Sequence, residues 1–216
     1  MLRKGEDWGT RASGNPDQRV QGTDVELAAA AAAKPGSMIR FVPKGHSDIA
    51  LTVGIDATRV TGRELPFDAL RLEGRDGLAV NMVVVGTPPD ELGRMSKTIS
   101  GRVSVDGNPL DPSSFTTVVI ANGEFLRGLD VVPRGHPGDG RAELQVYAVA
   151  AGDRPGVRKR LATGTHLPHE AILQRTGTEF GIALDRPGPV EVDGRSIGKL
   201  DHLVIRVVPG AYRLLV

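Results

Sequence analysis

The rhythm of hydrophobic and polar positions changes near residue 64. Before it, short apolar runs alternate with capped segments. Arg19 to Gln21 reads as a short strand, and Thr23 or Asp24 can cap an alanine-rich helix that runs to about Ala33, where Pro35-Gly36 stops it. Met38 to Val42 is an apolar strand, followed by a turn over Pro43 to Gly45. Ser47 or Asp48 then caps a short helix that ends near Gly54. The order is β-α-β-α. Residues 1–18 are rich in glycine, charge and polar groups and read as a loose tail that Trp8 can dock.

From residue 64 onward the pattern is that of hairpins. Phe67, Ala69, Leu70 and Leu72 carry a strand, with Asp68 expected to point to solvent. Leu78 to Val85, apolar apart from Asn81, suits a strand buried on both faces. Val103-Ser-Val-Asp-Gly and Val190-Glu-Val-Asp-Gly each place Asp-Gly after alternating residues, a strong hairpin signal. Phe115 to Ala121, Glu143 to Val149, Glu179 to Leu184 and Leu203 to Val208 supply further strands, and only Arg154 to Ala162, with Pro155 near its start, reads as helix. The expected class is α+β: a tail over 1–18, a reduced α/β region over 19–63, and a β-sandwich or barrel-like domain over 64–216.

Composition narrows the chemistry. Of 216 residues, 39% are hydrophobic and 25% charged, so a packed core is expected; aromatics at 4% leave Val, Ile, Leu and Ala to fill it. The 27 basic and 26 acidic side chains give a net charge of +1, which argues against a dedicated nucleic-acid binder. The absence of cysteine excludes disulfides, zinc–thiolate sites and thiol nucleophiles. No apolar run approaches a membrane span and the first residues lack the apolar core of a secretory signal, so a cytoplasmic protein is expected, with peripheral membrane contact left open.

Several stretches, in order, resemble the diacylglycerol kinase and bacterial lipid kinase family over roughly residues 20–216. They are Ala121-Asn-Gly-Glu-Phe-Leu-Arg-Gly, His136-Pro-Gly-Asp-Gly-Arg, Gly164-Thr-His-Leu-Pro-His, Val192-Asp-Gly, and the closing Val208-Pro-Gly-Ala-Tyr-Arg-Leu-Leu-Val. The resemblance implies a nucleotide-binding α/β domain, here truncated to a remnant, followed by a β-sandwich, with the active site between them.

The departures bear on function. Where the family's nucleotide loop reads Gly-Gly-Asp-Gly-Thr, this chain has Gly22-Thr-Asp24-Val-Glu26. Glycines in such loops let backbone N–H groups close around phosphate, whereas Thr23 and Val25 are β-branched and Glu26 brings a repelling carboxylate. The family's second loop, Gly-Thr-Gly-Asn-Asp, is shortened to Gly45-His-Ser-Asp48. A βαβ unit needs about 30 residues, more than precede the altered loop. If a nucleotide bound, Gly22, Asp24, Gly45 and Asp48 would be the contacts, but ordinary ATP binding is not expected.

Other positions take roles from the same resemblance. Asp193 matches the family's general base, although Asp193-Gly194 also suits a plain hairpin turn. Arg195 stands where the family usually has an acid and favours anion binding. Asp139 matches an aspartate that helps hold a structural magnesium with backbone carbonyls, here those of His136 and Arg141; a plain Gly-Asp-Gly loop is the alternative. His166 and His169, close to Arg158-Lys-Arg160, lack a third metal ligand nearby, and His46 reads as part of a turn. The leading expectation is a non-catalytic relative that binds a lipid-like or phosphorylated ligand, or a partner, in a cleft lined by Asp48, Asn81, Asn122, Asp139 and Asp193, with Arg127, Arg134 and Arg195 as anion contacts. The alternatives are an active Mg-ATP-dependent lipid kinase completed in an unconventional way, and a structural homodimer built on a bare sheet edge.

Overall fold

The computed structural model describes residues 8–55 and 62–216; the first seven residues of the expected tail lie outside them. The elements in chain order are β1 (Thr10–Arg11), β2 (Gln18–Gly22), α1 (Asp24–Ala33), β3 (Met38–Pro43), α2 (Asp48–Val53), β4 (Arg63–Leu72) and β5 (Met82–Gly86). Then follow β6 (Ile99–Val105), β7 (Asn108–Leu110), β8 (Ser114–Phe115), β9 (Thr117–Ala121), β10 (Phe125–Leu126), β11 (Leu129–Asp130) and β12 (Ala142–Tyr147). Helix α3 (Arg154–Arg160) precedes β13 (Ile172–Gly177), β14 (Glu179–Val192) and β15 (Arg195–Leu215).

The helices begin and end where local chemistry requires. Thr23 caps α1 in a full capping box with Glu26, and Ser47 caps α2 through the Ala50 N–H. Gly54 closes α2 in the left-handed region at φ 65°, which costs glycine little.

Two long strands join everything. The main path of the sheet runs β1-β4-β15-β14-β5-β9-β12-β13. Strand β14 pairs with β6 through Phe180–Leu184 and with β5 through Val190–Val192, so it serves both layers of a sandwich. Strand β15 pairs with β14 and β4 and, at Arg213 and Leu214, runs parallel to β3 at Met38 and Ile39. The β2-α1-β3-α2 segment is therefore hydrogen-bonded into the sandwich sheet rather than being a separate sheet. Its core joins Leu27, Ala31, Ile39, Phe41 and Ile49 to Leu65, Phe67, Tyr212 and Leu214 of β4 and β15.

Strands β5 and β9 are buried throughout. Val83, Val85, Val118 and Ile120 face the sandwich interior, while Met82, Val84, Val119 and Ala121 face a second core closed by Leu126, Val132, Val157 and Leu161. The apolar run at Leu78–Val85 is thus buried on both faces, but its regular strand starts only at Met82. Ala79 makes an isolated bridge to Leu70, and residues 80–82 turn their N–H groups onto Asp193.

The expectation for Asp68 was wrong. It is buried, and its carboxylate accepts the Gly140 N–H at 2.6 Å and the Gly210 N–H at 2.8 Å. The loop at 136–140 covers the face of β4 that alternation alone would leave in water. Strand β13 and the β10–β11 hairpin are further elements that the sequence pattern did not show. Among the described residues no helix is long and apolar enough to cross a membrane.

Candidate functional site

Asp193 occupies the turn between β14 and β15 with φ 47°, followed by Gly194 at φ 77°. The hairpin turn expected at Asp193-Gly194 is present, and it aims the carboxylate inward. Its oxygens accept the N–H groups of Val80 at 2.8 Å, Asn81 at 2.9 Å and Met82 at 3.0 Å. Burial pushes this carboxyl up to about 7, the charge of Asp24 adds to that, and the three N–H bonds oppose it.

Asp193 lines a cavity of about 400 Å³ between α1 and the β14–β15 hairpin. One wall is the outer face of α1, with Val25, Ala28 and Ala29; the other is Leu78, Val192 and Ile197. Arg75, Arg195 and Ser196 complete the lining. The side chains of Arg75 and Arg195 make no hydrogen bond or ion pair among the described residues. The cavity thus combines an apolar body with two available cations and one carboxyl that is half protonated near neutrality.

Behind it lies a buried acidic group. Asp24 turns away from its own loop and accepts the Ser47 hydroxyl at 2.5 Å and the Asp48 N–H at 3.0 Å. Burial raises its carboxyl above the usual carboxylate range against these bonds. Asp48 in turn accepts the N–H groups of Arg127 and Gly128, each at 2.8 Å, and a bond from His46 Nε2 at 2.6 Å. The Tyr212 hydroxyl is buried without a hydrogen-bond partner among the described residues. Burial first, then the charges of Asp193, Asp24 and Asp68, raise it well above the ordinary phenol range. Only the closing Val208–Val216 stretch pointed toward Tyr212 in the sequence, and nothing there distinguished it from a core aromatic.

At the altered loop, Glu26 accepts the Thr23 N–H at 2.7 Å and the Thr23 hydroxyl at 2.6 Å. A Cβ on Gly22 would meet the Glu26 carboxylate at 2.7 Å, so side chain and loop are closely packed. Gly45, at φ 85°, has open space around it.

The other expected contacts divide. Asn81 and Asn122 sit with Asp193 around residues 80–82: the Asn81 side chain donates to the Phe125 carbonyl at 3.0 Å and Asn122 to that of Val80 at 3.5 Å. Asp139 lies apart. It accepts the Arg141 N–H at 3.0 Å within its own loop, while the Arg141 guanidinium reaches the Thr176 carbonyl. His136 packs its ring against Trp8, with centroids 4.8 Å apart, and Trp8 packs against Phe67. The loop is thus docked on the N-terminal segment, on β4 and on β13. Among the described residues no three His, Cys, Asp or Glu side chains group to hold a metal. Arg127 is not an available cation, since its guanidinium holds both Asp90 oxygens and Glu191. His166 is buried against the Val131 carbonyl, and burial drops it to about 4.

The fold is that of a class shared by diacylglycerol kinases and NAD kinases. A diacylglycerol kinase structure from Bacillus anthracis str. Sterne is similar with a TM-score of 0.75 and 18% identity, over 92% of this chain and 76% of that one. An NAD kinase from Archaeoglobus fulgidus is similar with a TM-score of 0.50 and 13% identity, over 93% of this chain and 78% of that one. No curated protein sequence matches significantly. The family model for the YegS C-terminal NAD kinase beta sandwich-like domain matches residues 94–216. The chain belongs to that family, and with it to the diacylglycerol and lipid kinase family, whatever its activity.

Proposed function

We propose that this protein is a non-catalytic member of the lipid kinase family that binds a lipid-like or phosphorylated ligand in the cavity between α1 and the β14–β15 hairpin. The observation that carries this reading is Glu26, whose carboxylate takes the Thr23 N–H and hydroxyl at the start of α1. Those are donors a nucleotide phosphate would need, and a fixed anion beside them repels another. The residues of this loop do not fit an ATP phosphate chain. The apolar α1 face suits an alkyl body, and Arg75 and Arg195 suit a phosphate or carboxylate head. Magnesium would have Asp139 as its carboxylate ligand in this chain; the binding reading does not depend on it.

Calorimetric titration with Mg-ATP, with ADP as control, tests the reading. No heat of binding up to millimolar nucleotide is expected, and micromolar affinity would overturn it. A second reading has its own support. A carboxyl near 7 facing a cavity is tuned for general-base work, so Asp193 favours an active lipid kinase. Phosphoryl transfer to a lipid that Asp193→Asn abolishes would establish that reading and remove the first.

A further inference from the structure

A second concavity lies at the far end of β5 from Asp193. Met82 at one end of this strand donates its N–H to Asp193, whereas Gly86 at the other end borders a groove of about 910 Å³. The groove opens where β14 leaves its register with β15 between Ala183 and Gly188. Three cationic side chains line it: Lys97 before β6, Arg186 in the departing segment of β14, and Lys199 on β15. All three are exposed and make no hydrogen bond or ion pair among the described residues. Some other cations of the chain are paired, as Arg127 with Asp90 and Glu191, Arg206 with Glu73 and Glu179, and Lys34 with Asp17, whereas Arg75 and Arg195 at the first cavity are not. One carboxylate, Asp185, also lines the groove.

A fourth positive charge stands behind the wall. Arg154 is buried, and its guanidinium donates to the carbonyls of Val149 at 2.9 Å and Ser96 at 2.8 Å, with longer contacts to the Arg94 carbonyl and the Thr98 hydroxyl. Every acceptor is neutral, so the charge is solvated by dipoles but compensated by no anion among the described residues. The same bonds fix the segment that delivers Lys97 and Thr98 to the groove. Like charges gathered in a concave place raise one another's energy, and an anion entering the groove relieves that cost. Ile99, Pro187 and Pro189 add an apolar wall, and Thr87 and Ser100 add hydroxyls.

We infer that this groove is a second binding site, distinct from the Asp193 cavity, for a phosphate-bearing ligand held by Lys97, Arg186 and Lys199. The phosphate group is carried by a soluble organic phosphate or by a lipid headgroup, and the chemistry of recognition is the same for both.

Inorganic pyrophosphate, titrated calorimetrically into the full chain at low ionic strength, is the probe for the soluble source. Sedimentation with phosphatidylglycerol–phosphatidylcholine vesicles probes the headgroup. Binding in either arm is expected to weaken about tenfold for Lys199→Ala and for Arg186→Ala, as loss of one direct charge contact implies. Lys199→Glu with Arg186→Glu is expected to abolish the groove's share of the binding, and Arg71→Ala, exposed on β4 and lining neither cavity, to leave it unchanged. Because the substituted side chains are exposed and unpaired, circular dichroism should confirm unaltered folding. Binding in one arm only, lost with the groove substitutions, keeps the site and assigns its source. Absence of binding in both arms, or binding unmoved by the groove substitutions, overturns the proposal.

Discussion

Asp48 holds the turn that carries Arg127. One of its oxygens accepts the Arg127 N–H and the other the Gly128 N–H, both at 2.8 Å, across 79 and 80 residues of chain. Arg127 sits there at φ 49°, and its guanidinium then ties Asp90 to Glu191, two positions from Asp193. The carboxylate of α2 thereby fixes the approach to the site from a distance. Replacing it leaves two main-chain donors without a partner, each costing ~1–3 kcal/mol. Asp48→Ala is expected to lower the urea midpoint by the equivalent of about 3 kcal/mol, and Asp48→Asn by less. A shift within the error of the measurement would mean that water serves the turn equally well.

Asp193 gives stability a definite pH slope. Its carboxyl holds its proton up to about 7 in the folded chain, against an ordinary value of 3.8 when unfolded. A raised folded value favours the folded state fully below the unfolded value, and that contribution is lost as pH rises through the folded one. Between pH 4 and 7 this residue alone therefore makes the protein less stable as pH increases. Asp193→Asn should remove that slope. Equilibrium unfolding of both proteins at several pH values checks it, and parallel curves would refute it.

His166 acts in the opposite direction. Burial lowers it to about 4, from an ordinary 6.5. The folded state prefers the neutral ring, so its contribution is present above 6.5 and is lost as pH falls toward 4. At pH 5 the loss relative to neutral pH is about 2 kcal/mol. His166→Gln should lose less stability than the parent over the same interval, whatever its stability at pH 7.5.

How much of this was readable beforehand depended on distance along the chain. The caps at Thr23, Ser47 and Gly54 are local, set by residues within a turn of each other, and the sequence reading placed both helices by them. The Asp-Gly turns at Asp106 and Asp193 were legible for the same reason. Asp68 was not, because the groups that bury its carboxylate come from Gly140 and Gly210, 72 and 142 residues away. Strand β13 contains Gln174, Arg175 and Thr176 and carries no apolar strand signal; its pairing with β12 makes it a strand. At the site, Asp193 was legible as a residue but its bed of three N–H groups was not, since these belong to a segment more than 110 residues earlier.

Trp8 reports on the docking of the N-terminal segment. It is the chain's one tryptophan, and it packs on Phe67 and His136. A Cβ on Gly138 would approach its ring to 2.5 Å and the Pro66 carbonyl to 2.6 Å. Native fluorescence should be blue-shifted and shielded from iodide. Gly138→Val should move the emission toward that of tryptophan in water, at a cost of about 1–3 kcal/mol for overpacking. Unchanged emission in the variant would show that the segment docks without this contact.

The parallel pairing of Arg213 and Leu214 with Met38 and Ile39 has a consequence for synthesis on the ribosome. The helices of the small layer emerge early, yet Leu27, Ile39 and Ile49 share a core with Tyr212 and Leu214. That layer has no complete interior until the last strand has left the exit tunnel. Until β15 is made its apolar face is uncovered, and such surface is prone to wrong contacts during vectorial folding. Strand β15 therefore acts as the closing step for a layer whose other strands and helices are made well before it.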